Sequence, residues 1–127
     1  MKEDMKILVA YDGSDHAKRA LTESIQLAQK FSGFLTLLHC CWFESDQASI
    51  LLLKDVKGIL EAASVNHEYK SIRTNNPSTT ILQIAEEGGY DMIVLGSRGL
   101  GGARALILGS VSNKVASEAT IPILIVK

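Results

Sequence analysis

Two stretches of the chain hold residue types and spacings that could do chemistry. Asp12 follows directly on an apolar run, Lys6 to Tyr11 (KILVAY), and precedes Gly13-Ser14. Much further along, Met92 to Gly96 (MIVLG) runs into Ser97-Arg98-Gly99, then Leu100 to Leu108, then Gly109-Ser110. Glycines let backbone N–H groups come close to a ligand. Gly109-Ser110 opens a helix, and a helix N-terminus offers unpaired donors and about half a positive charge, a good seat for phosphate oxygens. A loop with two glycines is a weak signal on its own, because glycine is the common loop residue. Asp12 has two readings: a carboxylate that meets a ligand, or a turn residue that accepts backbone N–H bonds. Arg98 either pairs with a phosphate or points into solvent.

These residues need elements to hold them. KILVAY reads as a buried central strand ending in the Asp12-Gly13-Ser14 turn. Ser14 is placed to cap a helix whose apolar positions, Ala17, Ala20, Leu21, Ser24, Ile25, Leu27, Ala28 and Phe31, recur at helical spacing until Gly33 stops it. Phe34 to Cys41 (FLTLLHCC) is a second buried strand, with His39 facing the core. After a polar loop, Glu44 to Ser49, a second helix carries Leu52, Val56, Ile59, Leu60 and Ala63 on one stripe. His67 to Arg73 alternates and is polar, as an edge strand should be. Asn75-Asn76-Pro77-Ser78 starts a third helix, with Ile81, Leu82 and Ala85 inward and Gly88-Gly89 at its end. Met92 to Gly96 is a fourth strand, Ser97 to Gly102 a glycine-rich loop, Gly109-Ser110 to Ala119 a fourth helix, and Ile121 to Val126 a fifth strand. Strict alternation of strands and helices predicts an α/β fold, an open doubly wound five-stranded parallel sheet with helices on both faces. In such sheets ligands bind at the carboxyl ends of strands, where the strand order reverses.

Composition narrows the function. The 127 residues are 46% hydrophobic and 21% charged, with 10 Gly and 2 Pro, which excludes disordered and collagen-like chains. Area scaling gives a single domain of this size about two-thirds of its surface to bury. The net charge of −1 leaves no basic surplus for a nucleic-acid backbone. No apolar stretch approaches the ~20 residues of a membrane span. MKEDMKILVAY is wrongly flanked for a signal peptide, so the expected location is the cytoplasm. Cys40 and Cys41 are adjacent and cannot staple distant segments, and His16 and His67 show no metal-ligand spacing.

Taken together, ILVAYDGS, LTLLHCC and the closing third, YDMIVLGSRGLGGARALILGSVSNKVASEATIPILIVK, are similar to the universal stress protein family over essentially the whole chain. That family's nucleotide motif is Gly, two residues, Gly, nine residues, Gly, then Ser or Thr. Here it is complete as Gly96, Ser97-Arg98, Gly99, Leu100 to Leu108, Gly109 and Ser110. The resemblance implies one domain over residues 1–127, a sheet ordered 3-2-1-4-5, and ATP over the carboxyl ends of strands one and four, with any Mg or Mn bound through the phosphates. Asp12, preceded by Ala10 and Tyr11, would contact the adenosine end. Cys40 matches the family's valine whose backbone touches adenine. Gly96, Gly99, Gly109, Ser110 and Val111 would surround ribose and phosphates, with Ser97, Arg98 and Ser112 beside them. No residue is assigned a catalytic or metal-ligating role.

The chain departs from the family in places. It is shorter than usual between the second and third strands, which predicts a reduced or displaced second helix. Asn75-Asn76 stands where a glycine is common, and Gly101-Gly102 adds flexibility within the spacer. No P-loop lysine and no nucleophile-elbow serine is present, so the expected function is a nucleotide-binding stress-response regulator rather than a catalyst. A slow ATP hydrolase, and a dimeric interaction protein without nucleotide, are the alternatives. An ATP-pyrophosphatase would need paired glycines that Tyr11-Asp12-Gly13-Ser14-Asp15 lacks, and a receiver domain would need an aspartate where the third strand ends Ile72-Arg73-Thr74.

The last strand is apolar on both faces, Ile121, Ile123 and Ile125 alternating with Pro122, Leu124 and Val126. Such an edge is an aggregation hazard unless covered. The resemblance implies that two copies pair through it as a homodimer, with neither nucleic acid nor membrane as partner.

Overall fold

The computed structural model describes residues 4–41, 45–98 and 108–127. Its elements are β1 (Lys6–Ala10), α1 (Asp15–Phe31), β2 (Phe34–Cys41), α2 (Asp46–Ala62), β3 (Asn66–Arg73), α3 (Pro77–Glu87), β4 (Met92–Gly96), α4 (Ser110–Glu118) and β5 (Ile123–Val126). The sheet runs β3-β2-β1-β4-β5 and every neighbouring pair is parallel. Fold class and strand order are those expected. β1 is the central strand, and its side chains alternate between two cores. Ile7 and Val9 join Leu35, Leu37 and Val94 beneath Ala20, Leu21, Val56 and Leu60 of α1 and α2. Leu8 joins Leu38, Ile93 and Leu95 beneath Ile81, Ala85 and Val115 of α3 and α4. Burial on both faces is why the central strands read as continuous apolar runs. His39 is fully buried, as anticipated.

The helix starts follow their sequence signals. Ser14 accepts from the Ala17 N–H with its hydroxyl, 3.2 Å away. Asn76 caps α3 in the same way, with Pro77 in the first turn, where a missing N–H costs nothing. The end of α1 differs from expectation. Ser32, not Gly33, adopts the left-handed conformation, at φ 53°. Gly33 is required for a different reason: a Cβ there would sit 2.8 Å from the Met5 carbonyl oxygen, where β1 approaches.

The second helix is not reduced. α2 has 17 residues, as many as α1, so the shorter connection does not shorten the helix. Its buried line is Ser49, Val56 and Leu60. That line leaves Ile59 on the flank, 49% exposed rather than in the predicted stripe, and Ile50 and Leu51 further out. β5 begins at Ile123, two residues later than predicted. Pro122 has no N–H for the ladder, although its carbonyl accepts from the Ile93 N–H at 3.0 Å. All four β5 residues are only half-buried.

Candidate functional site

The carboxyl ends of β1 and β4 lie side by side, because the chain passes from β1 to β2 on one flank and reaches β4 on the other. This is the reversal point at which open α/β sheets bind ligands. At the end of β1, Tyr11 is buried and donates its N–H to the Leu38 carbonyl at 2.9 Å, which keeps the ladder going beyond Ala10. Burial raises the Tyr11 phenol pKa, and the Asp12 and Asp55 carboxylates push it the same way. The Asp12 carboxylate accepts from the Ser14 N–H at 2.9 Å, forming the local turn of its second reading. Gly13 has φ 84°, a conformation that suits glycine. Asp12 is half-buried, so the same turn that engages it also presents it at the strand end.

Cys40 lies near the end of β2, opposite Ile72. Its thiol is pushed up to about 11, by burial first and by Cys41 second. Near neutral pH it is therefore a protonated, weakly nucleophilic thiol. What Cys40 can offer a ligand is its backbone and an apolar side. Among the described residues, no group of three or more His, Cys, Asp and Glu side chains converges to hold a metal ion.

The end of β4 is built around Ser97, which is 1% exposed. Its N–H donates to the Val126 carbonyl at 2.8 Å, which ties it to β5. Its carbonyl accepts from the Gly109 N–H at 2.6 Å and from the Ser112 hydroxyl at 2.7 Å. One peptide group thus anchors the start of α4. Gly109 is the cap residue of α4, with φ −72° and ψ 170°, and no side chain caps this end. The Ser112 N–H, the counterpart of the Ala17, Ala48 and Thr79 N–H groups, therefore lacks the side-chain acceptor that the caps of α1 to α3 supply, and the N–H groups of Ser110 and Val111 open the same first turn. Arg98 follows directly. Its Nε is buried and, among the described residues, without a hydrogen-bond partner. A desolvated guanidinium nitrogen in the residue after Ser97 and an uncapped helix start anchored on Ser97 each suit an anionic group such as a phosphate.

The sequence-predicted residues Ala10, Tyr11, Asp12, Gly96, Ser97, Arg98, Gly109, Ser110, Val111 and Ser112 are thus brought to two adjoining strand ends, with Cys40 on the next strand. Gly99 lies outside the described residues, as do residues 100–107 and with them Gly101-Gly102. Two findings were not foreseen. Gly96 is hemmed in by protein: a Cβ there would stand 2.7 Å from His16 Cβ and 2.8 Å from the His16 carbonyl carbon. His16, which showed no ligand spacing, places its Nδ1 2.7 Å from Ser97 Oγ. The one signal for it in the sequence is its position two residues after the Ser14 cap, in the helix that follows β1.

Residues 5–127 match the sequence model of the Universal stress protein family. A universal stress protein of Thermus aquaticus, from the QAH/OAS sulfhydrylase 3' region, is 37% identical over 133 residues, spanning 95% of this chain and 97% of its own. Among solved structures, the protein MJ0577 is similar at TM-score 0.84 and 27% identity, over 98% of this chain and 96% of that one. A universal stress protein in complex with cAMP is similar at TM-score 0.78 and 27% identity, over 97% and 96%.

Proposed function

Because this chain belongs to the universal stress protein family, we propose that it is a cytoplasmic, homodimeric ATP-binding regulator of the stress response, holding the nucleotide over the carboxyl ends of β1 and β4. The observation that carries the reading is the Ser97 carbonyl bonded to Gly109 and Ser112, which fixes an uncapped helix start at the reversal point of the sheet. The cAMP complex of a relative supports a nucleotide as the ligand class.

In this reading the first-turn N–H groups of α4, with the partial positive charge of the helix start, meet the phosphates, and Arg98 adds a full charge beside them. Asp12 takes the adenosine end, and the backbone of Cys40 lies along the base. Ala10 and Tyr11 shape the floor between them. A Mg or Mn ion arrives with the phosphates. The protein works by changing state with its nucleotide, not by turning it over, since the chain has no P-loop lysine to neutralise developing charge. Mass spectrometry of small molecules released on denaturation, followed by calorimetric titration of the emptied protein with ATP, tests this. Recovery of ATP or saturable binding is expected. A chain that neither carries nor takes up adenine nucleotide would be the interaction protein instead, and release of AMP with pyrophosphate would make it an enzyme.

The dimer is proposed through β5. Ile123, Leu124, Ile125 and Val126 form a half-exposed apolar edge with no strand on its outer side among the described residues. Pairing two such edges across a two-fold axis covers both. Sedimentation at micromolar concentration should give about 27 kDa, twice the chain mass of 13.7 kDa. A single 13.7 kDa species would refute the interface.

A further inference from the structure

We propose that His16 is a positioning residue for the nucleotide site, acting through Ser97; the affinity arm of its test rests on the ATP reading above. Ser97 engages a different element with each of its polar groups. Its N–H reaches β5, its carbonyl holds the start of α4, and its hydroxyl meets His16 Nδ1 on α1 at 2.7 Å. The hydroxyl sits in a residue that is 1% exposed, where an unpaired polar group is costly, so the imidazole is what satisfies it. The close approach of Gly96 to the backbone and Cβ of His16 fixes the base of the ring against the end of β4. The imidazole therefore sets the orientation of the Ser97 side chain and, through it, of the peptide whose carbonyl receives the Gly109 N–H. Gly109 and Ser110 begin the helix that faces the proposed phosphates. Without the ring, Ser97 Oγ must find another partner, and Ser97, which anchors the α4 start, loses its tie to α1.

Three variants isolate the ring nitrogen. His16→Ala removes it and keeps the Cβ beside Gly96. His16→Asn places an amide atom where Nδ1 stood, and His16→Gln keeps the bulk but carries its polar atoms further out. Two readouts are taken: ATP affinity by calorimetry, and hydrogen exchange of the Gly109 amide in the ligand-free protein. His16→Ala and His16→Gln should each weaken ATP about fivefold and speed Gly109 exchange about as much, the effect of one lost hydrogen bond. His16→Asn should restore both to within about twofold of the parent. If His16→Ala fails to fold, the Asn and Gln pair makes the same comparison. Unchanged Gly109 exchange in His16→Gln would overturn the proposal, as would equal losses in Asn and Gln. Should the parent protein not bind ATP, the functional reading falls, and Gly109 exchange alone decides the role of His16.

Discussion

Replacing Gly109 by aspartate is expected to abolish tight ATP binding while leaving the fold intact. Gly109 has φ −72° and ψ 170°, an extended conformation that any residue adopts, so the substitution imposes no backbone strain. Its position is the cap of α4, which has no side-chain cap bond, and aspartate is among the best residues there. Caps of this kind stabilise by about 1 kcal/mol, and a negative charge at a helix start suits the dipole. The melting temperature should hold or rise slightly. Binding faces the opposite sign. A new carboxylate about 5 Å from one phosphate charge, at an effective dielectric of ~20, costs about 3.3 kcal/mol. That is roughly a 250-fold loss of affinity, less with added salt and more if several phosphate charges are felt. Calorimetric titration of ATP into parent and variant, beside their melts, reads both effects. A folded variant with parental affinity would mean that the phosphates are seated elsewhere.

The largest effect on stability is expected at Gly96. The sequence motif presents this glycine as part of the ligand's surroundings, but the structure gives it a packing role. An added methyl would lie 2.7 Å from His16 Cβ, 2.8 Å from the His16 carbonyl carbon and 3.0 Å from the Ala17 nitrogen. Two of these three neighbours are backbone atoms in the first turn of α1, so no side-chain rotation relieves the clash. Gly96→Ala must push α1 away from β4, an overpacking penalty of about 2–3 kcal/mol. In a domain of this size that lowers the melting temperature by roughly 10 °C. The same shift pulls His16 from Ser97 and should weaken ATP binding as well. Gly58 is the control. It is exposed in the interior of α2, and a Cβ there meets nothing within 4 Å. Gly58→Ala should gain about 0.5–1 kcal/mol from helix propensity. Thermal melts of the two variants should therefore move in opposite directions. A Gly96→Ala protein that melts with the parent would contradict the packing described.

Features that depend on a few neighbouring residues could be read before any coordinates. The apolar run of β1 announced burial on both faces, because a half-exposed strand would alternate. Ser14 and Asn76-Pro77 marked helix starts, since capping is a bond between residues three apart. The spacing from Gly96 to Ser110 located the candidate site, and the family resemblance carried the strand order that periodicity alone could not supply.

Features that depend on meetings across the sheet could not be read in that way. Ser97 and His16 are 81 positions apart, and they touch because β1 pairs with β4 and α1 starts where β4 ends. The same approach makes Gly96 a contact with α1 as well as a member of a motif. Gly33 looked like the residue that ends α1, yet the left-handed turn falls at Ser32, and what requires glycine at position 33 is the Met5 carbonyl, which leaves no room for a side chain there. Ile59 has helical spacing from its apolar neighbours, but α2 is rotated so that Val56 and Leu60 meet the core and Ile59 faces outward. Local propensity is a matter of bonds a few residues long. Which glycine tolerates a side chain, which hydroxyl meets which ring and which face of a helix is buried depend on distances between distant segments, and these exist only once the sheet has assembled.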